Sequence, residues 1–71
     1  MDEKEILKNI ADNIRIERLK KRLSQEQLAE MVNISTKYLN IIENRKANPT
    51  IVIIVKICSA LNIDLNSVYK V

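Results

Sequence analysis

Seventy-one residues and 8.2 kDa put the chain near the lower limit for a self-supporting core and predict one domain spanning residues 1–71. One cysteine, Cys58, excludes an internal disulfide, and the absence of histidine removes the commonest general base and a usual zinc ligand. No apolar run approaches the ~20 residues of a membrane span, and the acidic start Met1-Asp2-Glu3-Lys4-Glu5 is unlike a signal peptide. A reduced, cytoplasmic chain is expected, with no membrane, metal, cofactor or small-molecule ligand, and no enzymatic activity.

Charge is spread unevenly within the formal +3. Residues 1–17 carry net −2, residues 18–46 carry net +4, and the remainder carries +1. With a pI near 9.2, the basic middle suggests a surface for a polyanion, although lysine and arginine also serve plain solubility. Glycine is absent, proline occurs once, and the only aromatics are Tyr38 and Tyr69. That composition disfavours a β-sandwich and the aromatic platforms of RNA-binding sheets, so an all-α fold is predicted.

The first helix is predicted from Asp2 to Arg22. Ile6, Ile10 and Ile14 recur every four residues, Leu7, Ala11 and Leu19 widen the stripe, and Arg18 falls on it one turn beyond Ile14. Ser24-x-x-Gln27 is a capping box that opens a short helix, Gln25 to Val32, with Leu28, Ala29 and Val32 inward. Asn33 stops it, tolerating the left-handed backbone of a helix end. Ser35 caps a third helix that runs to about Asn44, with Leu39 and Ile42 inward. Pro49 marks a loop, and Thr50 to Leu61 forms a fourth helix. Its β-branched run Ile51–Val55 would also suit a buried strand, but no partner strand exists. Asn62 ends that helix, and Asp64 caps a fifth ending near Lys70.

Two short helices joined by a three-residue turn fit a helix-turn-helix, whose second helix lies in the DNA major groove; they equally fit an ordinary αα-hairpin. Ala29 permits close approach, Ile34 plugs the turn, and Thr36, Lys37, Asn40, Ile41 and Asn44 are left outward.

The run Arg18 … Leu23-Ser24-Gln25-Glu26-Gln27-Leu28-Ala29, then Asn33-Ile34-Ser35, Tyr38-Leu39, Ile42-Glu43 and Asn48-Pro49-Thr50 resembles the Cro and phage-repressor (XRE) type of helix-turn-helix over roughly residues 10–69. The resemblance implies a five-helix, lambda-repressor-like fold. It also implies a transcriptional regulator that acts on double-stranded operator DNA as a homodimer, like small repressors and restriction–modification controller proteins. It places Gln25, Thr36, Lys37, Asn40 and Ile41 at base-contacting positions. Ser24, Ser35, Tyr38, Asn44, Arg45 and Lys46 fall at phosphate-contacting positions. The chemistry agrees: amides suit adenine, lysine suits guanine, and methyl groups suit thymine. Arg18 and Glu43 match positions that form a structural ion pair. Relatives usually carry glycine where Asn33 and Arg45 stand; Asn33 is a mild replacement, whereas Arg45 stores strain if its φ stays positive. The same fold also serves antitoxins, and a protein-interaction module without DNA activity is a third possibility.

A dimer is expected from surplus apolar surface. The inward face of helix 4 takes Ile51, Ile54, Val55, Ile57, Cys58 and Leu61, leaving Val52 and Ile53 off it. With Ile63, Leu65, Val68, Tyr69 and Val71 these form the expected dimer interface. The alternative is a rotated helix 4 that packs its β-branched run inside.

Overall fold

A computed structural model describes residues 1–71 and is entirely helical outside its connections. The five helices are α1 (Glu3–Lys20), α2 (Gln25–Val32), α3 (Thr36–Glu43), α4 (Ile51–Leu61) and α5 (Leu65–Val68). α1 packs against α3, α4 and α5, while α2 packs against α3 and α4. Each helix opens on a side-chain cap. Asp2 accepts from the Glu5 N–H, Ser35 from Tyr38, Thr50 from Ile53 and Asp64 from Asn66. At Ser24 the box is complete, with the hydroxyl accepting from the Gln27 N–H at 3.0 Å and the Gln27 side chain accepting from the Ser24 N–H at 2.8 Å. Caps of this kind contribute about 1 kcal/mol each, which matters for helices of only eight residues.

Four helices stop in the same way without a glycine. Arg22, Asn33, Arg45 and Asn62 adopt positive φ between 56° and 65°. In each case the next residue's N–H reaches back five residues, as in Ile34 to the Ala29 carbonyl and Lys46 to that of Ile41. The two asparagines are readable stop signals. Arg22 is not, which explains why α1 ends at Lys20 rather than at Arg22.

The core is built on Ile14, Leu28, Leu39, Ile42, Ile57 and Leu61, all fully buried. On α4 the buried face is Ile54, Ile57, Cys58 and Leu61, the i, i+3, i+4, i+7 pattern of a helix docked on one side. Ile51 and Val55, expected inside, are 62% and 44% exposed, whereas Ile53, expected at a dimer surface, packs half-buried against the core. The buried face of α4 is thus narrower than expected and shifted toward Ile53: Ile54, Ile57, Cys58 and Leu61 lie inward as expected, while apolar residues at both edges of that face left its limits open. Leu19 is also exposed.

Val68 requires a second correction. Its side chain is 2% exposed inside the chain's own core and is unavailable as a dimer contact. The reason lies on α1: Asn13 donates to the Val68 and Lys70 carbonyls, both at 2.7 Å, and the buried Asn9 donates to the Tyr69 carbonyl at 3.0 Å. These bonds satisfy the carbonyls that a helix end leaves unpaired. They hold α5, only four residues long, with Val68 turned inward.

Arg18 and Glu43 join the end of α1 to the end of α3. Arg18 Nε donates to Glu43 Oε2 at 2.8 Å and Nη2 donates to Oε1 at 2.9 Å, while Nη1 reaches the Leu23 carbonyl at 2.8 Å. Both residues are buried. Removing one partner of such a pair strands the other charge in the core. Arg18→Met is therefore expected to lower the unfolding free energy by about 3–5 kcal/mol, and Arg18→Met with Glu43→Leu to recover much of that loss. Urea denaturation of the two variants against wild type measures both effects.

Candidate nucleic-acid interface

The turn Asn33-Ile34-Ser35 sets α3 across α2, with Ile34 half-buried against the core. α3 turns Leu39, Ile42 and Glu43 inward. Thr36, Lys37, Asn40 and Asn44 are exposed, while Tyr38 and Ile41 are half-buried. The face expected to read bases is therefore polar at Thr36, Lys37 and Asn40 and apolar at Ile41. Lys37 and Lys46 have no carboxylate within ion-pairing distance, so their charges remain open to an external anion. Ser24 and Ser35 lie exposed at the two helix starts. Their hydroxyls are committed to backbone N–H groups, yet each still has a hydrogen to donate.

Gln25 occupies the first turn of α2, half-buried, and bridges to α3. Its Nε2 donates to Glu43 Oε1 at 3.1 Å, and its Oε1 accepts from Asn40 Nδ2 at 3.3 Å. Asn44 Nδ2 in turn donates to the Asn40 carbonyl at 2.9 Å and to Asn40 Oδ1 at 3.1 Å. The amides of Gln25, Asn40 and Asn44 thus form one chain anchored on the buried Glu43. Sequence reasoning placed all three at the interface but carried no signal for their connection, which depends on the packing of α2 against α3.

Arg45 keeps the left-handed backbone at φ 65° despite its Cβ. Its guanidinium grips Asp12 on α1 through bonds of 2.9 to 3.2 Å, with Lys8 also on that carboxylate at 3.3 Å. Arg45, expected beside phosphate, is thus already paired within the chain, whereas Lys46 beside it is free. Neither Asp12 nor the Asn9 and Asn13 clamps stood out in the sequence; asparagines four apart flanking the Ile10–Ile14 stripe are the one available hint. Cys58 is buried, and that burial, with the Asp64 charge adding to it, pushes its thiol above the ordinary value, as suits an unreactive core residue. No cluster of metal-binding side chains is present, and no helix is long and apolar enough to cross a membrane.

A helix seated on a capped partner helix, with its inward side fixed in the core and its outward side polar and cationic, defines a helix-turn-helix DNA-binding protein. A model of the family described as helix-turn-helix matches residues 14–68. The control protein C.SmaI of Serratia marcescens is 40% identical over 62 residues, covering 87% of this chain and 70% of that protein. Among solved structures, the restriction-modification controller protein C.AhdI from Aeromonas hydrophila is 30% identical with a TM-score of 0.83, covering 89% of this chain and 96% of that one. The hypothetical transcription factor NHTF from Neisseria is 28% identical with a TM-score of 0.88, covering 96% of this chain and 76% of that one. The chain belongs to the helix-turn-helix family of Cro and phage-repressor (XRE) type transcriptional regulators, and its five-helix fold is lambda-repressor-like.

The Asp12 cluster gives the fold an acid dependence. Partial burial pushes the Asp12 carboxyl up, but hydrogen bonds and charge from Arg45 and Lys8 outweigh it and hold the group below its ordinary value of 3.8. A carboxylate depressed in the folded state contributes stability that is complete above its unfolded pKa and is lost as pH falls through the folded one. Wild type should exceed Asp12→Asn by about 0.5–1 kcal/mol near neutrality, a modest figure because Arg45 is half exposed and solvent screens the pair. The difference should shrink below about pH 4, which urea unfolding at pH 7 and pH 3 would reveal.

Proposed function

We propose that the chain regulates transcription by binding a specific, approximately palindromic operator as a homodimer, with α3 in the major groove. The observation that carries this reading is the outward row Thr36, Lys37, Asn40 on a helix whose opposite side is locked into the core. Lys37 suits guanine O6 and N7, Asn40 suits adenine N6 and N7, and the methyls of Thr36 and Ile41 suit thymine. Gln25 stands at the edge of this row. Ser24, Ser35, Tyr38, Asn44 and Lys46 are suited to phosphates, assisted by the positive ends of α2 and α3. Arg45 would have to leave Asp12 to join them. Similarity to a control protein and to a restriction-modification controller protein supports a regulator of the same kind.

Dimerisation is supported by apolar surface that the core does not use. Ile51, Val52 and Val55 on α4 and Leu65, Tyr69 and Val71 beyond it are exposed. A groove between α1, α4 and α5 is lined by Ile6, Ile10, Ile51, Leu65 and Tyr69. Ile53 and Ile63 border the core, half-buried. A second copy docked there by a two-fold axis would cover the patch. It would set two recognition helices about 34 Å apart, one turn of DNA.

Asn40→Ala and Lys37→Ala should each relax base preference by about 1–3 kcal/mol at one position of the operator. Lys46→Ala should weaken all duplexes alike and flatten the salt dependence by about one phosphate contact. Selection from a random duplex pool, followed by titration at several salt concentrations, separates the two classes; an unchanged selected motif for Asn40→Ala would falsify the placement of the recognition face. For the dimer, wild type should sediment as a dimer at micromolar concentration and a Leu65→Asp, Tyr69→Asp variant as a folded monomer with reduced operator affinity. Wild type sedimenting as a monomer, with operator affinity untouched by the double change, would reject the dimer.

A further inference from the structure

Resting on the recognition face assigned above, we propose that Gln25 and Asn44 are specificity-determining positioning residues that act through Asn40. Together they hold its amide in one of its two orientations, so that it offers a donor and an acceptor to the base pair in a fixed order. A free asparagine amide can turn over by 180°, exchanging its NH2 for its oxygen. In that state it accepts where it formerly donated, and so can also satisfy a base that presents the opposite pattern of donor and acceptor.

The chain in this protein removes that freedom from both ends. At one end stands the Glu43 carboxylate, whose two oxygens already accept from Arg18 and which offers Gln25 an oxygen to donate to. Gln25 must direct its NH2 to Glu43, as it does at 3.1 Å, and must therefore turn its oxygen to Asn40. At the other end the Asn40 backbone carbonyl is likewise only an acceptor, so Asn44 must present its NH2 there, at 2.9 Å. The same NH2 then requires an oxygen from the Asn40 side chain, at 3.1 Å. Both constraints demand one polarity of Asn40: NH2 toward Gln25, oxygen toward Asn44. Hydrogen bonds in such a row also polarise one another in the same sense. The bond to Gln25 uses one hydrogen of the Asn40 amide and the bond from Asn44 uses one lone pair. One N–H and one lone pair remain, the set that an adenine edge requires.

A phosphate contact, the role given to Asn44 above, would make a different prediction for either residue, because losing it weakens every duplex equally. The deciding experiment selects binding sites from a random duplex pool with wild type, Gln25→Ala, Asn44→Ala, Asn40→Ala and the Gln25→Ala, Asn40→Ala pair. Helical content of each variant is checked by circular dichroism. Gln25→Ala and Asn44→Ala should each reduce preference by about tenfold at the same base pair that Asn40→Ala affects, and the double variant should be no less selective than Asn40→Ala alone. Uniform weakening by Gln25→Ala or Asn44→Ala with an intact motif overturns the role proposed for that residue, as does an effect at another base pair that adds fully to that of Asn40→Ala. If Asn40→Ala leaves the motif intact, the recognition face itself is misplaced and the proposal falls with it. A measurement on the free protein separates the two failures. The side-chain amide protons of Asn40 should exchange with solvent several-fold faster in Gln25→Ala than in wild type, and equal rates overturn the relay whatever DNA the protein selects.

Discussion

The doubly hydrogen-bonded pair between Arg18 and Glu43 is the contact on which the placement of the other helices turns. It ties the last turn of α1 to the last turn of α3, and the third arm of the guanidinium holds the Leu23 carbonyl at the entry to α2. Two helices and the connection into a third therefore meet at one planar group. A buried ion pair contributes little net free energy against an apolar replacement, because desolvation offsets the attraction. Its contribution here is directional: a guanidinium satisfied by a carboxylate on one edge and a carbonyl on another admits a narrow range of helix angles. With α3 fixed in rotation, Leu39 and Ile42 must point inward and Lys37 and Asn40 outward. The same carboxylate, through Gln25, carries that order to the surface amides.

Glycine is missing from a fold whose helices end in left-handed residues four times over. For Asn33 and Asn62 the cost is small, since a short polar side chain accommodates the geometry, whereas arginine in that region costs about 1–2 kcal/mol. At Arg45 the cost is partly offset by the grip on Asp12, which also tethers the α3–α4 loop to α1. At Arg22 no such tether exists; the back-bond from the Leu23 N–H to the Arg18 carbonyl closes the helix end. A chain without glycine also loses less backbone entropy on folding. Connections of this stiffness suit a protein that must hold one short helix at a fixed height above its core.

Polar and apolar surfaces fall on different parts of the molecule. α3 exposes amides and lysine, whereas α4 and α5 expose Ile51, Val52, Val55, Leu65 and Tyr69. A four-residue helix has almost no intrinsic stability, so α5 depends on Val68 in the core and on the two asparagines of α1 that hold its last carbonyls. Fixed in this way, α5 can present Leu65 and Tyr69 outward without detaching.

Much of this was legible in the sequence, wherever the governing physics is short-range. Ser24, Ser35, Thr50 and Asp64 act on N–H groups two or three residues away, and Asn33 and Asn62 act on their own backbone, so the limits of α2, α3 and α4 follow from local chemistry. The inward set Leu28, Leu39 and Ile42 follows as well, because polar residues surround it at helical period. α4 is the contrary case. Lys56 and Ser59 mark its outer side and make Ile54, Ile57, Cys58 and Leu61 legible as inward, but apolar residues continue past both edges of that face, and only packing against α1 and α2 decided that Ile53 is half-buried while Ile51 and Val55 are exposed. The inward turn of Val68, the grip of Arg45 on Asp12 and the chain of amides from Glu43 to Asn44 share that origin. Each joins residues from different helices or depends on the angle between them, and side-chain hydrogen bonds across such gaps require a geometry that no local pattern encodes. The sequence alone determined which helices form and that α3 is polar on its outer side; tertiary structure decided which edge of α4 is buried and how the amides of Gln25, Asn40 and Asn44 are held, because both depend on contacts between helices rather than within them.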